Sequence, residues 1–317
     1  MLSSPSFLIA CLALANQGVR QGALVATANP LDLALYGPGY FMVATGRGVE
    51  FTRDGAFRLD SSGRVVTRST GQIVLGWNSA GQLTALTARM GRDEAHQGTS
   101  IVSLSGNLNA RTPSGDRAEA RFSVYDALGQ VHDVLVVFSD HRAEGGNARG
   151  ATSSWAWNAY LTTEGEYSET AFGSSGWLGN SRLFFNAQGA ALGGPPNVFQ
   201  IPVKHGEYGG LTQIDFSQIG QLNAESFVQS AGQDGFPPGV LNGISISPDG
   251  TLSGLYTNGL VKVLGQFAIA TFRNPNALAP DGGGLLMANR RSGTAIPGVA
   301  GDGQRGTVAS GYLLGLP

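Results

Sequence analysis

The chain has 317 residues, a formal net charge of −2 and only 13% charged residues, and its two lysines are Lys204 and Lys262. Nucleic acids and acidic membranes bind proteins through clusters of positive charge, so we expect neither as a partner. The single cysteine, Cys11, excludes an intrachain disulfide and a thiolate-based metal site, and no apolar run is long enough to span a membrane.

The chain opens with an apolar stretch, residues 1–25, whose helix-like spacing is interrupted by Gly18 and Gly22. This stretch lacks the basic start of an export signal, and lipidation at Cys11 is the weaker alternative. We therefore predict an atypical N-terminal segment over 1–25, either a short helix or irregular. From Leu31 onward the apolar period changes to two, which is typical of a half-buried strand.

Turn residues divide the next part of the chain into short strands. Residues 37–39 (GPG) precede an apolar strand over 40–43. The pair Asp54-Gly55 predicts a two-residue hairpin between the strands on either side of it. Residues 61–63 (SSG) predict another turn, after which the strand pattern resumes.

The same style continues to the C-terminal part. Residues 121–138 alternate polar and apolar about a turn at 126–129, which predicts a hairpin. Trp155 and Trp157 lie on one face of an alternating strand. Residues 244–254 predict a strand, a type I turn and a second strand. With 48 glycines and no collagen period, the chain is predicted to be all-β with many tight turns.

The sequence contains no pattern that indicates a catalytic, cofactor-binding or metal site. Its four histidines lack the spacing of metal ligands, and neither a nucleophile elbow nor a phosphate-binding glycine loop is present. Asp54, Asp126 and Asp249 each begin a turn and are predicted to bond the backbone two residues further on. The face that carries Trp155 and Trp157 is either a carbohydrate platform or, as we favour, the core of a β-domain.

Four motifs occur in the same order as in the bacterial flagellar hook and rod protein family, which the chain resembles. They are NPLDLA from Asn29, followed by two glycines and an aromatic pair, FTRDGAFRLD from Phe51, VYDALGQVH from Val124, and GQFAIATFRNP from Gly265. The motif residues to which the resemblance gives a structural role are Asn29, Pro30, Leu31, Asp32, Gly37, Gly39, Phe41, Arg53, Gly55, Phe57, Asp126, Gly129, Gly265, Gln266, Asn274 and Pro275.

The resemblance implies an inner β-domain formed from two discontinuous segments, with a second β-domain inserted between them. The motif positions predict the N-terminal segment over 1–25, the inner domain over 26–108 and 237–317, and the inserted outer domain over 109–236. An insertion of this size is similar to that of hook proteins rather than that of rod proteins. The resemblance also makes Asp32 a structural residue, which we expect to accept backbone N–H bonds.

The function implied by the resemblance is that of a structural subunit of the flagellar hook and not of an enzyme. Copies of such a subunit polymerise into a flexible helical tube, a universal joint that transmits torque from rod to filament. The implied partners are further copies, the distal rod protein, the hook–filament junction protein and the hook-capping protein. The implied location is extracellular, at the basal body and hook, after export by the flagellar type III system without a cleaved signal peptide.

Family members begin and end with long helices, most of which we expect this chain to lack, because residues 1–25 are atypical and the chain stops at Pro317. Two alternatives stay open. The first is a secreted β-rich glycan-binding protein or hydrolase that uses the face of Trp155 and Trp157 or an unrecognised carboxylate pair. The second, closer to the main interpretation, is a rod protein or a hook-capping scaffold.

Overall fold

The computed structural model describes residues 24–113, 115–145, 150–162, 177–192, 198–205 and 208–314, with backbone only for Trp177, 198–205 and 208–210. Almost all of the predicted N-terminal segment, and residues 315–317, lie outside the described residues. Within those residues every regular element is a strand except one 3-10 helix, which confirms the all-β prediction. The chain divides into two compact units.

The strands are numbered β1 to β27 in chain order. The first ten are β1 Leu24–Ala26, β2 Leu33–Tyr36, β3 Tyr40–Thr45, β4 Gly48–Thr52, β5 Phe57–Leu59, β6 Val65–Thr67, β7 Ile73–Trp77, β8 Leu83–Ala85, β9 Glu94–Gln97 and β10 Ile101–Asn107. The next nine are β11 Ala118–Tyr125, β12 Val131–Ala143, β13 Ser153–Thr162, β14 Trp177–Phe185, β15 Ala191–Leu192, β16 Val198–His205, β17 Tyr208–Gly220, β18 Phe227–Gln233 and β19 Phe236–Ile246. The last are β20 Thr251–Tyr256, β21 Val261–Phe267, β22 Ile269–Thr271, β23 Ala279–Gly282, β24 Leu285–Met287, β25 Ile296–Gly298, β26 Thr307–Ser310 and β27 Tyr312–Leu314, and the 3-10 helix is Pro275–Ala277.

Unit one consists of Met1–Met90, Asn242–Leu255 and Val261–Pro317, and unit two of Gly91–Leu241 and Tyr256–Leu260. The motif positions assign residues 91–108 to the inner domain, whereas in the structure they lie in unit two. The reason is β10, which pairs with β17 in parallel and with β18 antiparallel. Pairing between strands so far apart in sequence leaves no local signal that marks a boundary.

In unit one, strand β3 pairs with strands from both the N-terminal and the C-terminal part of the unit. It pairs antiparallel with β4, β7 and β22, and β22 belongs to the C-terminal part. The pairs β2–β26 and β1–β27 join the same two parts. Phe41, Phe57 and Phe267 are fully buried at the centre of the core, with ring centroids 5.1–6.1 Å apart. The early and late motifs therefore supply a single core.

Unit two contains two sheets that share one hydrophobic core. One sheet has the order β11-β12-β13-β14-β15 and the other β16-β17-β10-β18. Phe216 of the second sheet packs on Phe138 and Trp157 of the first, with ring centroids 5.9 and 5.1 Å apart. The alternating burial of β11 and β13 follows from this arrangement, because one face of each strand meets the other sheet.

Three predicted turns are confirmed, at residues 60–63, 126–129 and 247–250, each closed by a backbone N–H···O bond of 2.8–2.9 Å between its first and last residues. The hairpin predicted at Asp54-Gly55 is wrong. Strand β4 pairs with β3 and β24, whereas β5 pairs with β6, so residues 53–56 connect strands that are not partners. Gly55 meets a different need there, which is a close approach to Leu33.

Candidate functional site

Asn29 and Asp32 close the turn that begins the first motif. The side-chain oxygen of Asn29 accepts the N–H of Leu31 at 3.1 Å, and its Nδ2 donates to Asp32 Oδ1 at 3.0 Å. The buried Asp32 carboxylate also pairs with the guanidinium of Arg68. Within the described residues the partners of the Asp32 carboxylate are therefore side chains and not the backbone N–H groups that we predicted. Arg68 lies 36 residues further along the chain, where local sequence gives no sign of it.

Pro30 and Leu31 fix this turn to the rest of unit one. The Pro30 carbonyl oxygen accepts a bond of 2.8 Å from Ser310 Oγ. The Leu31 carbonyl oxygen accepts the N–H of Phe57 at 3.2 Å, and the Leu31 side chain is buried in the core. The first motif therefore contacts both the second motif and the C-terminal strands.

Arg53 holds the glycine turn that precedes β3. Its guanidinium donates to the carbonyl oxygens of Leu35, Gly37 and Gly39 at 3.1, 2.7 and 2.8 Å, and it lies 5.8 Å from the ring centroid of Tyr40. Burial lowers the pKa of Arg53 from its ordinary value, but an arginine stays protonated at neutral pH. The planar fork of N–H donors matches three converging carbonyls in a way that a lysine ammonium cannot.

Two glycines of that turn are required by their backbone conformation. Gly37 and Gly39 have φ values of 108° and 128°, which lie in the region that favours glycine. Space is also limited, because a Cβ on Gly39 would stand 2.5 Å from Cγ2 of Ile269. The turn that Arg53 binds is thus packed directly against β22.

The late motif also makes close packing contacts and hydrogen bonds to the backbone, at both its first and its last residues. A Cβ on Gly265 would stand 2.6 Å from Cδ2 of Leu86, so a larger residue does not fit there. The Gln266 side chain donates to the carbonyl oxygen of Asp249 at 2.9 Å. Pro275 is the first residue of the 3-10 helix, and the carbonyl oxygen of Asn274 accepts its first bond, from Ala277 at 3.2 Å.

Asp126 and Gly129 lie apart from the other motif residues, in unit two. Asp126 Oδ1 accepts the N–H of Leu128 at 2.8 Å, and its other oxygen lies 3.1 Å from His132 Nε2. Burial acts to raise the pKa of Asp126, but the bonds from His132 and from the N–H groups of Gln130 and Leu128 outweigh it and lower the pKa. The predicted role of Asp126 as a turn former is confirmed, and Asp54 and Asp249 bond the backbone two residues on in the same way.

The described part of the chain contains no cluster of three or more ionisable groups suited to a metal ion. His96 lies 3.0 Å from the carbonyl oxygen of Ala127, and His141 Nδ1 lies 3.2 Å from that of Thr112. His96 and His132 thus both bond the turn at residues 126–129, whereas His141 bonds a carbonyl oxygen elsewhere. No helix within the described residues is long and apolar enough to cross a membrane.

Trp155 and Trp157 are core residues of unit two, with 0% and 1% of their surface exposed. Trp155 stacks on His141 with ring centroids 5.0 Å apart, and Trp157 packs on Phe216. The core interpretation is therefore confirmed. A carbohydrate platform needs exposed ring faces, which neither indole offers.

Several residues with comparable roles have no signal in the sequence. The buried guanidinium of Arg305 donates to the carbonyl oxygens of Ile269 and Ile296 at 3.0 and 2.8 Å. Asn258 Nδ2 donates to the carbonyl oxygens of Ala95 and Pro237 at 3.0 and 2.5 Å. Their partners are distant in sequence, so neither periodicity nor turn chemistry identifies them. All of these polar residues bond the backbone, which is a structural role.

The comparisons with known proteins point to the same family. A family model described as the flagellar hook protein FlgE/F/G D1 domain matches residues 34–101, and one described as the flagellar basal body protein FlaE D2 domain matches residues 99–236. The two matches together span more than half of the chain. They abut close to residue 100, near the division between the first part of unit one and unit two.

Similar proteins cover most of the chain. The flagellar hook protein FlgE of Treponema pallidum is 27% identical over 92% of this chain and 73% of its own length. That of Salmonella typhimurium is 26% identical over 94% of this chain and 75% of its own length. The crystal structure of Helicobacter pylori flagellar hook protein FlgE2 has a TM-score of 0.63 at 12% identity and covers 91% of this chain and 100% of its own, which is a likeness of fold. The chain belongs to the bacterial flagellar hook protein family and is a structural subunit of the hook.

Proposed function

We propose that copies of this chain polymerise into a flexible helical tube that transmits torque from the rod to the filament. Identical subunits joined head-to-tail by a rotation that does not close a ring form an open helix. The observation that carries the proposal is the number of large apolar side chains exposed on strands of both units. Val261 and Val263 of β21, and Leu255 opposite Val261 on β20, are 60%, 61% and 41% exposed and form one apolar patch on unit one, and Phe227 of unit two is 58% exposed. A contiguous exposed apolar patch marks a protein contact.

In this proposal unit one is the inner domain of the tube wall and unit two the outer domain. The support for the inner position is that the described ends of the chain, β1 and β27, both belong to unit one and pair with each other. The support for the outer position of unit two is that it is an insertion with its own core and two sheets.

The low charge of the chain is suited to a tube that bends as it rotates. Each subunit must lengthen and shorten its contacts once per revolution, so contacts that slide are best polar and hydrated. Deep apolar pockets or many desolvated ion pairs would fix one register. A chain with only 13% charged residues offers few ion pairs that could fix one register.

The remaining parts of the proposal rest on the family resemblance. They are contacts with the distal rod protein, the hook–filament junction protein and the hook-capping protein, and export by the flagellar type III system without a cleaved signal peptide. An enzymatic activity is not part of the proposal, since the polar motif residues bond the backbone or, in the case of Asp32, the side chains of Asn29 and Arg68.

The test is genetic and microscopic. Deletion of the gene should give cells that carry rods without hooks or filaments and do not swim, and immunogold labelling of the wild type should mark the hook. Complementing the deletion strain with the Gly55→Ala variant, which we expect to fold poorly, serves as the negative control. Normal hooks on the deletion strain would overturn the proposal.

A further inference from the structure

The two units of this chain carry opposite formal charges. Unit one has 12 basic and 7 acidic residues, a charge of +5, whereas unit two has 8 basic and 15 acidic residues, a charge of −7. The net charge of −2 conceals this asymmetry. Charges of opposite sign on two domains of an identical subunit favour contact between unit one of one copy and unit two of another.

Part of the positive charge of unit one is not neutralised within the chain. Arg47, Arg64, Arg68 and Arg305 each form an ion pair with a carboxylate of unit one. Arg290 and Arg291, by contrast, are exposed and form no ion pair with any carboxylate in the described parts of the chain. They line an open depression of about 700 Å³, together with Asn274, Asn276, Ala277 and Asn289.

The turn that carries these two arginines is held rigidly. Asn289 Oδ1 accepts the N–H groups of Arg291 and Ser292 at 2.8 and 3.1 Å, and Asn289 Nδ2 donates to the carbonyl oxygen of Ala277. Ser292, which is fully buried, accepts the Asn289 N–H on its hydroxyl at 2.9 Å. The two guanidiniums are therefore presented from a fixed backbone, which reduces the entropy lost on binding.

Unit two carries a matching loop between β17 and β18. Leu222 and Phe227 are 60% and 58% exposed, and Glu225, which lies between them in the sequence, is exposed as well. No cation among the described residues forms an ion pair with Glu225. A carboxylate binds guanidiniums through charge-assisted hydrogen bonds, and an exposed aromatic ring two residues further along the chain can add a cation–π contact.

Asn107, the last residue of β10, holds this loop through hydrogen bonds from its side chain. Its Nδ2 donates to the carbonyl oxygens of Ala224 and Glu225 at 3.0 and 3.1 Å, and its Oδ1 accepts the N–H of Leu222 at 2.7 Å. Asn107 is buried, so its three bonds make the loop part of the sheet rather than a mobile tip. Both surfaces thus rest on an asparagine that bonds the backbone of an exposed turn.

We propose that residues 222–227 of one copy bind the depression at Arg290 and Arg291 of a neighbouring copy. This inference rests on the proposed polymerisation and names the surfaces that would meet. The contact is heterologous, so it can repeat without closing. Exposed guanidinium–carboxylate contacts are weak individually and tolerate small shifts, which is compatible with a bending tube.

Charge reversal tests the contact in the full-length chain. We expect Arg290→Glu with Arg291→Glu, and separately Glu225→Arg, to raise the concentration needed for assembly about tenfold at about 50 mM NaCl and much less at about 500 mM, because salt screens exposed charges. Combining all three changes in one chain restores the complementarity, and we expect it to recover assembly to within about threefold of wild type. Pelleting and electron microscopy measure the threshold.

Arg58→Glu and Asp116→Arg are the matched controls, since each reverses an exposed charge of the same unit outside the proposed surfaces. Thermal unfolding checks that every variant is folded. If the wild type forms tubes and the charge reversals weaken assembly no more than the controls do, or leave it unchanged, this inference is overturned. The proposed function then remains intact. Failure of the triple variant to recover while each reversal weakens assembly would show that the two surfaces bind something other than each other. A wild-type chain that does not associate at any concentration or salt would overturn both.

Discussion

Gly55 and Leu33 are in direct backbone contact in unit one. The N–H of Leu33 donates to the Gly55 carbonyl oxygen at 2.9 Å, and a Cβ on Gly55 would overlap the Leu33 carbonyl oxygen. Gly55 does not have a positive φ, so the need for glycine here is one of space and not of backbone conformation. The contact holds the first two motifs together.

Gly55→Ala should therefore destabilise unit one by about 3 kcal/mol, because the backbone must move to admit the methyl group. Gly46→Ala is the control, since nothing lies within 4 Å of a Cβ at that exposed position. It should be neutral or stabilising by up to about 1 kcal/mol. Urea unfolding measures both changes, and equal midpoints for the two variants would contradict the packing argument.

Arg53→Met should cost about 2–4 kcal/mol of unfolding free energy, because it leaves three carbonyl oxygens of the glycine turn without their donor. Arg53→Lys should recover only part of this loss, since an ammonium cannot reach all three acceptors in one plane. Arg58→Met, at an exposed position of β5, is the matched control and should change stability by less than about 0.5 kcal/mol. If the Arg53→Lys variant unfolds at the same temperature as the wild type, the planar geometry of the guanidinium does not account for the stability that Arg53 provides.

Asp126 predicts a dependence of stability on pH at the acid end. Its folded-state pKa is lowered below the ordinary value of about 3.9, so its contribution to stability is present above about pH 4 and is lost as pH falls through the lower folded pKa. Asp126→Asn should remove this part of the acid dependence of unit two and lower its stability at neutral pH. Urea unfolding at a series of pH values measures the slope. An unchanged slope in the variant would contradict the assignment.

Trp157→Ala should destabilise unit two by about 3–5 kcal/mol, because it leaves a cavity beside Phe216 and Phe138. Trp157→Phe should cost clearly less, since most of the volume is kept. Thermal unfolding measures the loss, and iodide quenching of the wild type should show Trp155 and Trp157 to be shielded. Saturable glycan binding that disappears in a folded Trp157→Phe variant would support the alternative function instead.

The sequence was sufficient for the local features of this fold and for its family. The turns at residues 60–63, 126–129 and 247–250 depend on residues within four positions of each other, and their Asp and Gly residues identify them. The apolar alternation of β11 and β12 likewise predicts the hairpin that the structure contains. The motif order predicts the hook family, which the comparisons support over most of the chain.

The pairings between strands and side chains far apart in the chain could not be predicted from local sequence patterns. The parallel contact of β10 with β17, which places residues 101–107 in unit two, joins positions more than a hundred residues apart. Asp32 with Arg68 and Arg305 with Ile269 are each 36 residues apart, and there too a polar side chain meets a partner that tertiary packing brings to it. The pair Asp54-Gly55 shows the converse error, since a residue pair that commonly forms a hairpin serves here as a close backbone crossing.

The measurement that tests the central claim most directly is electron microscopy of the purified full-length chain over a range of protein and salt concentrations. The account predicts hollow helical tubes of uniform width that appear above a threshold concentration and grow in length. Single particles of the size of one chain at every concentration, with no tubes even on preformed hook fragments, would contradict it.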